Sequence, residues 1–170
     1  MKLRELLGPL PEYRVAGRTD IEITDVVYDS RKADEGAVFF CIKGLEADGH
    51  DYAPAAVERG ARALVVTREL ALSRPVTQVV VPDSREAMAL MSAAFFGFPA
   101  RAMTMVGVTG TNGKTSTTHM VKSIMEAAGQ KVGLIGTITN MIGEERIHTD
   151  RTTPESVDLH RLLKRMRDEG

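Results

Sequence analysis

A glycine-rich loop that carries a lysine and a threonine is the stretch of this sequence best suited to chemistry. It reads Gly-Thr-Asn-Gly-Lys-Thr over residues 110–115. Gly110 and Gly113 can adopt backbone angles that a Cβ disfavours, so the loop can curl and direct several N–H groups at one anion. The Lys114 ammonium can reach the β and γ phosphates of a nucleotide, and the Thr115 hydroxyl can ligate Mg²⁺. The loop therefore predicts a bound nucleoside triphosphate.

The elements around this loop occur in the order that phosphate binding requires. An apolar run at 103–108 precedes it and a helical pattern over 114–128 follows it. We expect a strand, a loop and a helix whose free N–H groups and positive dipole end face the anion. The strict spacing G-x-x-x-x-G-K-[ST] would place glycine where this chain has Val108, although the Gly-Lys-Thr core is intact. A plain glycine turn with a solvated lysine is the less favoured alternative.

Composition and charge narrow the class of protein. The chain has 170 residues, 43% hydrophobic and 26% charged, with a net charge of −1. These values fit one ordinary domain or two small ones, and the absence of a polybasic stretch argues against nucleic acid or an anionic membrane as a partner. The N-terminus lacks the apolar segment of a signal peptide, and no apolar run reaches the roughly 18 residues of a membrane span. We expect a cytoplasmic protein.

Other residue types with reactive or metal-binding side chains fit structural roles better. Cys41 lies in the apolar run 38–42 and is expected to be a buried hydrophobic residue rather than a nucleophile. His50 is expected to be a structural hydrogen-bonding residue rather than a base. The other histidines, at 119, 148 and 160, lack ligand spacing with acids or cysteines, so we assign them no metal.

Strands alternate with helices along the first hundred residues, which predicts an α/β layer domain. The patterns place a short helix near Leu3, helices at 52–59 and 85–96, and strands at 21–28, 37–42, 63–66 and 78–81. Gly-Phe-Pro-Ala at 97–100 should end the second long helix and separate two domains, 1–100 and 101–170.

Residues 101–170 predict the first part of a parallel-sheet domain built on the phosphate-binding loop. We expect a further strand at 131–136, a hairpin turn at Gly143-Glu144, and a last helix with Thr153 as its cap and Pro154 at its first position. Four methionines fall on core positions of the strand and the helix and should pack inside: Met103, Met105, Met120 and Met125. A parallel sheet needs cover on both faces, so we expect the front part of a longer protein rather than an unusually small second domain.

Four sequence blocks occur together in one order, and through them the whole chain resembles the first third of the Mur ligases of bacterial cell-wall synthesis. They are Asp29-Ser30-Arg31-Lys32, the stretch Lys-Gly-Leu-Glu-Ala-Asp-Gly-His-Asp-Tyr at 43–52, the loop at 110–115, and Thr152-Thr153-Pro154-Glu155. Taken alone, the first and last blocks also fit an ordinary turn and an ordinary helix start. The last block favours the branch that adds the third amino acid of the stem peptide. The branch for the next step is the alternative, and Asn112 argues against the branch of the first step.

The resemblance implies an ATP-dependent ligase of peptidoglycan synthesis. Such an enzyme adds a diamino acid, with meso-diaminopimelate favoured over L-lysine as the alternative, to UDP-N-acetylmuramoyl-L-alanyl-D-glutamate through an acyl phosphate. Domain 1–100 would hold the UDP end of that substrate, and domain 101–170 would begin the ATP-binding domain. The family's remaining magnesium ligands and its amino-acid site would lie beyond residue 170, so we expect this chain to bind substrate without turning it over. A nucleotide-binding module without ligase chemistry is the rival hypothesis, ahead of a purely structural α/β module.

The resemblance also assigns roles to individual residues. Those implied to bind ATP are Gly110, Thr111, Asn112, Gly113, Lys114, Thr115 and Ser116, with Lys114 catalytic and Thr115 on Mg²⁺. Those implied to bind the UDP-muramoyl substrate are Ser30, Leu45, Glu46, Ala47, Thr152 and Thr153. At Leu45 and Glu46 the chain departs from the His-Gln of some family members, so contacts there are expected from the backbone.

Overall fold

The computed structural model describes residues 1–147 and 153–170 and divides the chain into two compact units, Met1–Gly97 and Phe98–Gly170. The division falls a few residues before the predicted boundary at 100. Gly97, with φ +74°, follows the end of the preceding helix, as the Gly-Phe-Pro-Ala stretch predicts. The functions that the resemblance gives to the two units stay predictions.

The first unit is built on a five-stranded sheet. Its strands are β1 (Arg14–Ala16), β2 (Asp25–Val27), β3 (Ala37–Phe40), β4 (Ala63–Val66) and β5 (Thr77–Val80), in the spatial order β1-β5-β4-β3-β2. Strands β2 to β5 run parallel, while β1 pairs with β5 in the antiparallel direction at one edge. The α/β prediction with a parallel sheet is confirmed for this unit.

Helices cover both faces of this sheet. They are α1 (Leu3–Leu6), α2 (Ala53–Glu58) and α3 (Ser84–Phe95). Helix α3 starts one residue before the predicted position, because the Asp83 carboxylate caps it by accepting the backbone N–H groups of Arg85 at 2.7 Å and Glu86 at 3.3 Å. Every residue of β3 and β4 is buried, which is the pattern of central parallel strands packed on two sides.

Two predictions for the first unit need correction. The strand predicted over 21–28 is only three residues long, β2, because residues 21–23 bond to the N-terminus instead of to β3: the Ile23 N–H donates to the Met1 carbonyl at 2.8 Å, and Glu22 bridges to Lys2. Strand β1 was not predicted from the sequence at all. It is only three residues long and partly exposed, and its partner β5 lies about sixty residues further along the chain, so no local pattern marks it.

The second unit contains two helices and a small sheet. Its elements are α4 (Lys114–Ala127), β6 (Gly133–Leu134), β7 (Asn140–Ile142), β8 (Glu145–Ile147) and α5 (Ser156–Asp168). The hairpin between β7 and β8 turns at Gly143-Glu144 as predicted, with φ +55° at Gly143. Gly133 allows Met166 of α5 to pack closely, since a Cβ built there would lie 2.6 Å from the Met166 sulfur.

The strand predicted at 103–108 is wrong for this structure. Residues 104–109 form no ladder with any strand of the described part of the unit, and all three strands there pair antiparallel. A strand needs a neighbour for its N–H and C=O groups. The predicted packing of the methionines is wrong for the same reason: Met105, Met120 and Met125 are exposed, and Met103 is only half-buried.

Helix α5 begins later than the sequence predicts. Its N-cap is Glu155, whose backbone is extended at φ −65° and ψ 157°, rather than Thr153. The first bond of the helix runs from the Leu159 N–H to the Glu155 carbonyl at 2.9 Å, so Pro154 precedes the helix instead of opening it. Within residues 1–147 and 153–170, no helix is both long and apolar enough to cross a membrane.

Candidate functional site

The carboxyl ends of parallel strands β2, β3 and β4 share one edge of the first unit's sheet. Ser30 follows β2, and the tripeptide at 45–47 follows β3, so the structure places both parts of the expected UDP-substrate site at this edge. In open α/β sheets, ligands bind in the crevice outside the carboxyl ends of the strands. The placement therefore suits a substrate site.

Ser30 opens a short 3₁₀ turn that Asp29 holds in place. The Asp29 carboxylate accepts the backbone N–H of Arg31 at 3.0 Å and two bonds from its guanidinium, at 3.0 and 2.8 Å. Because it accepts these bonds, the pKa of Asp29 lies below its usual value. Ser30 itself is half-buried. The neighbouring aspartate and arginine thus fix the backbone that presents the Ser30 hydroxyl.

The loop after β3 is closed at its base and exposed at its tip. The Gly44 N–H donates to Ala47 at 2.8 Å, and the Gly49 N–H donates to Ile42 at 2.8 Å. At the tip, Leu45 is fully exposed, and the next two residues are exposed as well. The two positions that depart from the His-Gln of some Mur ligases are therefore both at this exposed tip.

At the base of this loop, a buried histidine forms hydrogen bonds that link the segment after β3 to the segment after β4. His50 is 3% exposed; its Nδ1 lies 2.5 Å from Asp48 Oδ1, and its Nε2 accepts the backbone N–H of Thr67 at 3.0 Å. A backbone N–H can only donate, so Nε2 carries the lone pair and Nδ1 carries the proton. The backbone and ring N–H groups of His50 lower the pKa of Asp48 to about 2. His50 is a structural hydrogen-bonding residue, as expected.

Cys41 also lies at this edge, and it is inert. It is completely buried, and desolvation, followed by the charge of Asp48, raises the pKa of its thiol to about 12. Its carbonyl accepts a hydrogen bond from the Ser84 hydroxyl at 2.8 Å. The expectation of a buried hydrophobic residue is confirmed.

The glycine-rich loop of the second unit has the backbone that its sequence predicts. Gly110 has φ +147° and Gly113 has φ +79°, in the region that residues with a Cβ rarely adopt. Helix α4 begins at Lys114 immediately after Gly113. The Lys114 ammonium donates to the Gly110 carbonyl, so the side chain folds over the loop.

This loop fits a polyphosphate. The first N–H groups of a helix have no partner within the helix and carry its positive dipole end, and in α4 they belong to Lys114, Thr115 and Ser116. The loop is exposed, with Thr115 half-buried. In the described part of the chain, no group of three or more His, Cys, Asp or Glu side chains could hold a metal. The Thr115 hydroxyl is an oxygen donor of the kind that Mg²⁺ prefers, and the family resemblance implies that the further protein ligands lie beyond residue 170.

The last expected substrate block is only partly described. Thr153 is exposed and lies two residues before the N-cap of α5. Thr152 lies outside the described residues.

Two family models match the chain. One, the Mur ligase family, catalytic domain, matches residues 22–96, and the other, the Mur ligase middle domain, matches residues 108–170. The chain belongs to the Mur ligase family. Each match falls within one compact unit of the structure, and the resemblance seen in the sequence is confirmed.

Individual Mur ligases are similar to the chain over its whole length. It is 49% identical over 170 residues to a UDP-N-acetylmuramoyl-L-alanyl-D-glutamate--2,6-diaminopimelate ligase from Geobacillus thermodenitrificans, covering 100% of this chain and 34% of the relative. A solved structure of an enzyme with that same name superposes with a TM-score of 0.76 at 23% identity, covering 100% of this chain and 34% of that one. MurF from Acinetobacter baumannii superposes with a TM-score of 0.60 at 23% identity, covering 96% and 32%. The two structures show the fold alone.

Sequence reasoning missed one part of the site, the bond between His50 and Thr67. The spacing Asp-x-His, in which an aspartate accepts the N–H two residues on, is a recognisable turn signal. The third partner, Thr67, comes from the end of β4, and only the parallel pairing of β3 with β4 brings it close. No spacing in the sequence marks it.

Proposed function

We propose that this Mur ligase chain supplies the UDP-substrate site and the ATP site of an enzyme that joins meso-diaminopimelate to UDP-N-acetylmuramoyl-L-alanyl-D-glutamate. The observation that carries the proposal is the 49% identity, along all 170 residues, with a relative of that name. The chain spans about a third of that relative's length, so the complete reaction is proposed for a longer polypeptide. Since the reaction uses ATP and a UDP-linked precursor, we assign it to the cytoplasm.

In the first unit, the carboxyl edge of the sheet would hold the UDP end of the substrate. The Ser30 hydroxyl can both donate a hydrogen bond to a polar group of the substrate and accept one from it. The bonds between Asp29 and Arg31 hold the turn that presents this hydroxyl. The backbone of the tripeptide at 45–47 would line the uridine, and the side chains of Leu45 and Glu46 need not take part. Thr152 and Thr153 would contact the muramoyl-dipeptide portion.

In the second unit, the loop from Gly110 to Ser116 would hold ATP. Its N–H groups and the Lys114 ammonium would bind the β and γ phosphates, and the Thr115 hydroxyl would ligate Mg²⁺. To engage the phosphates, Lys114 must exchange its bond to the Gly110 carbonyl for a charged acceptor, which forms the stronger hydrogen bond.

A carboxylate is a poor electrophile at neutral pH, so amide formation needs an activated intermediate. Bound ATP would supply its γ-phosphoryl group to the D-glutamate side-chain carboxylate, giving an acyl phosphate and ADP. The amine of diaminopimelate would then attack the acyl carbon, lose a proton and displace inorganic phosphate, leaving the amide. The chain's own contribution to this step is to align two anions and to screen their repulsion with Lys114 and backbone N–H groups.

Calorimetry with UDP-N-acetylmuramoyl-L-alanyl-D-glutamate tests the first site. We expect the chain to bind it and Ser30→Ala to weaken binding about tenfold, the effect of one lost hydrogen bond in a site. Ser73→Ala makes the same chemical change in an exposed loop of the same unit and should leave binding unchanged. Absence of binding by the unaltered chain would contradict the assignment of this site.

Titration with ATP and Mg²⁺ tests the second site. Lys114→Ala should weaken binding at least about tenfold, because it removes the full charge opposite the phosphates. Lys164→Ala removes an equal charge from an exposed position on α5 and serves as the control. If both substitutions weakened ATP binding equally, the effect would come from the net charge of the chain, and the assignment of Lys114 to the phosphate site would be contradicted.

The rival hypothesis is a nucleotide-binding module without ligase chemistry. It would predict ATP binding without any affinity for the UDP-linked dipeptide, and no effect of Ser30→Ala. The paired titrations therefore distinguish the two functions.

A further inference from the structure

We propose that Asp48 and His50 are positioning residues that hold the loop at 43–47 in its substrate-binding conformation. The proposal rests on the function proposed above, in which the tip of this loop lines the UDP end of the substrate. Neither residue is expected to touch the substrate.

The loop is held in place by hydrogen bonds at its base, where its two chain ends meet. Lys43 pairs with Asp48 in an isolated antiparallel bridge, and the Gly49 N–H bonds to Ile42. Beyond these contacts, the tip at 45–47 is exposed, and the Gly44 N–H donates across it to the Ala47 carbonyl at 2.8 Å. The position of the tip therefore depends on the position of Asp48.

Asp48 is fixed in turn by His50 and by the end of the neighbouring strand. Its Oδ1 accepts the His50 backbone N–H at 3.0 Å and lies 2.5 Å from Nδ1, while the ring's other nitrogen accepts the Thr67 N–H at 3.0 Å. Thr67 directly follows β4, whose residues are all buried. The chain of bonds thus ties the loop after β3 to the rigid centre of the sheet.

A direct catalytic role for His50 does not fit its surroundings. The ring is almost completely buried, and both nitrogens are engaged. A base must reach the proton that it removes, and this ring faces Asp48 and Thr67 instead. Its effect on the reaction must pass through the loop.

The experiment is calorimetry of the 170-residue chain with UDP-N-acetylmuramoyl-L-alanyl-D-glutamate. His50→Asn keeps a donor near the Nδ1 position but loses the acceptor for Thr67, and we expect binding about tenfold weaker. Thr77→Val also removes buried hydrogen bonds, those to Arg18 at 3.1 Å, but at the amino end of β5. It should lower thermal stability without changing affinity below the melting range. An equal loss of affinity in both variants would overturn the proposal, because general destabilisation would then explain it.

A second variant tests whether His50 acts through the tip. Replacing Leu45, Glu46 and Ala47 together with glycine removes the ordered tip. If the proposal is right, adding His50→Asn to this variant weakens binding by no more than about twofold, because coupled residues are non-additive. A further loss as large as in the unaltered chain would overturn it.

Failure of the two proposals gives different results. No binding by the unaltered chain refutes the proposed substrate site, and the positioning role with it. Binding that His50→Asn leaves intact refutes the positioning role alone. If His50→Asn does not fold, Asp48→Asn is measured instead, for which we expect about threefold weaker binding, since a neutral acceptor makes weaker hydrogen bonds. Unchanged affinity in Asp48→Asn would also overturn the proposal.

Discussion

Replacing Gly49 with alanine should disturb the base of the substrate loop directly. A Cβ built on Gly49 would lie 2.5 Å from the Ile42 nitrogen and 2.7 Å from the Ile42 oxygen. Both are backbone atoms, so no flexible side chain can move aside. The hydrogen bond from the Gly49 N–H to the Ile42 carbonyl, now 2.8 Å, must lengthen or break.

The expected change in the free energy of unfolding is the sum of two destabilising effects and one stabilising effect. Overpacking of a close contact costs about 1–3 kcal/mol, and loss of the backbone hydrogen bond adds about 0.5–1.5 kcal/mol. Alanine also reduces the conformational entropy of the unfolded chain, which stabilises the folded state by about 0.4–1 kcal/mol. The free energy of unfolding of the first unit should therefore fall by about 0.5–4 kcal/mol, and for a unit of this size the midpoint should fall by roughly 2–30 °C.

Tyrosine fluorescence can measure this unit selectively. The chain has three tyrosines, at positions 13, 28 and 52, and no tryptophan. All three lie within Met1–Gly97, so their emission follows unfolding of the first unit without a contribution from the second. Thermal and urea titrations of Gly49→Ala and the unaltered chain are then compared at the same pH.

Gly8→Ala is the matched control. A Cβ at Gly8 would lie 3.4 Å from the Glu5 carbonyl oxygen, which is an ordinary contact. This variant should be as stable as the unaltered chain or slightly more stable. The reasoning is refuted if Gly49→Ala unfolds at the same midpoint as Gly8→Ala.

Three further predictions concern other groups. The Cys41 thiol, with its pKa raised to about 12 by burial, should react with a thiol reagent at pH 8 on the order of a thousandfold more slowly than after unfolding, and equal rates would contradict its burial. The pKa of Asp48 is lowered to about 2, so its ionised form stabilises the folded state above a pH of about 4. This contribution to stability is lost as the pH falls towards about 2. Asp48→Asn lacks the contribution, so its free energy of unfolding should fall less steeply over that pH range in acid titrations. Met166→Ala should cost about 2–5 kcal/mol because the side chain is buried, whereas Met120→Ala on the exposed face of α4 should change stability by less than about 0.5 kcal/mol, both measured by urea unfolding followed by circular dichroism.

The parts of the fold that the sequence predicted well have strong local signals. Strand β4 is a continuous apolar run and was predicted with its exact bounds, and α3 follows the capping residue Asp83. The failures depend on distant partners. Strand β1 exists only because β5 lies beside it. Conversely, the apolar run at 103–108 has strand composition but no pairing partner in the described part of its unit, so composition alone could not decide its state.

In the candidate sites, too, the features with a local sequence signal could be predicted and those that depend on distant partners could not. The backbone angles at Gly110 and Gly113 and the start of α4 at Lys114 follow from residue type, and they could be predicted from six residues. Ser30 and the loop at 45–47 follow two neighbouring parallel strands, and a sequence pattern suggests this strand order only generally. The tie between His50 and Thr67 depends on the register of β3 with β4, and register is a tertiary property.

The separation between a fixed base and an exposed tip in the loop after β3 has an evolutionary consequence. Leu45 and Glu46 are exposed, so exchanging them carries little penalty in folding. Asp48, Gly49 and His50 are constrained by bonds or by close backbone packing, so drift at those positions is penalised. Divergence within the family should therefore accumulate at the tip, while the three residues behind it stay constant.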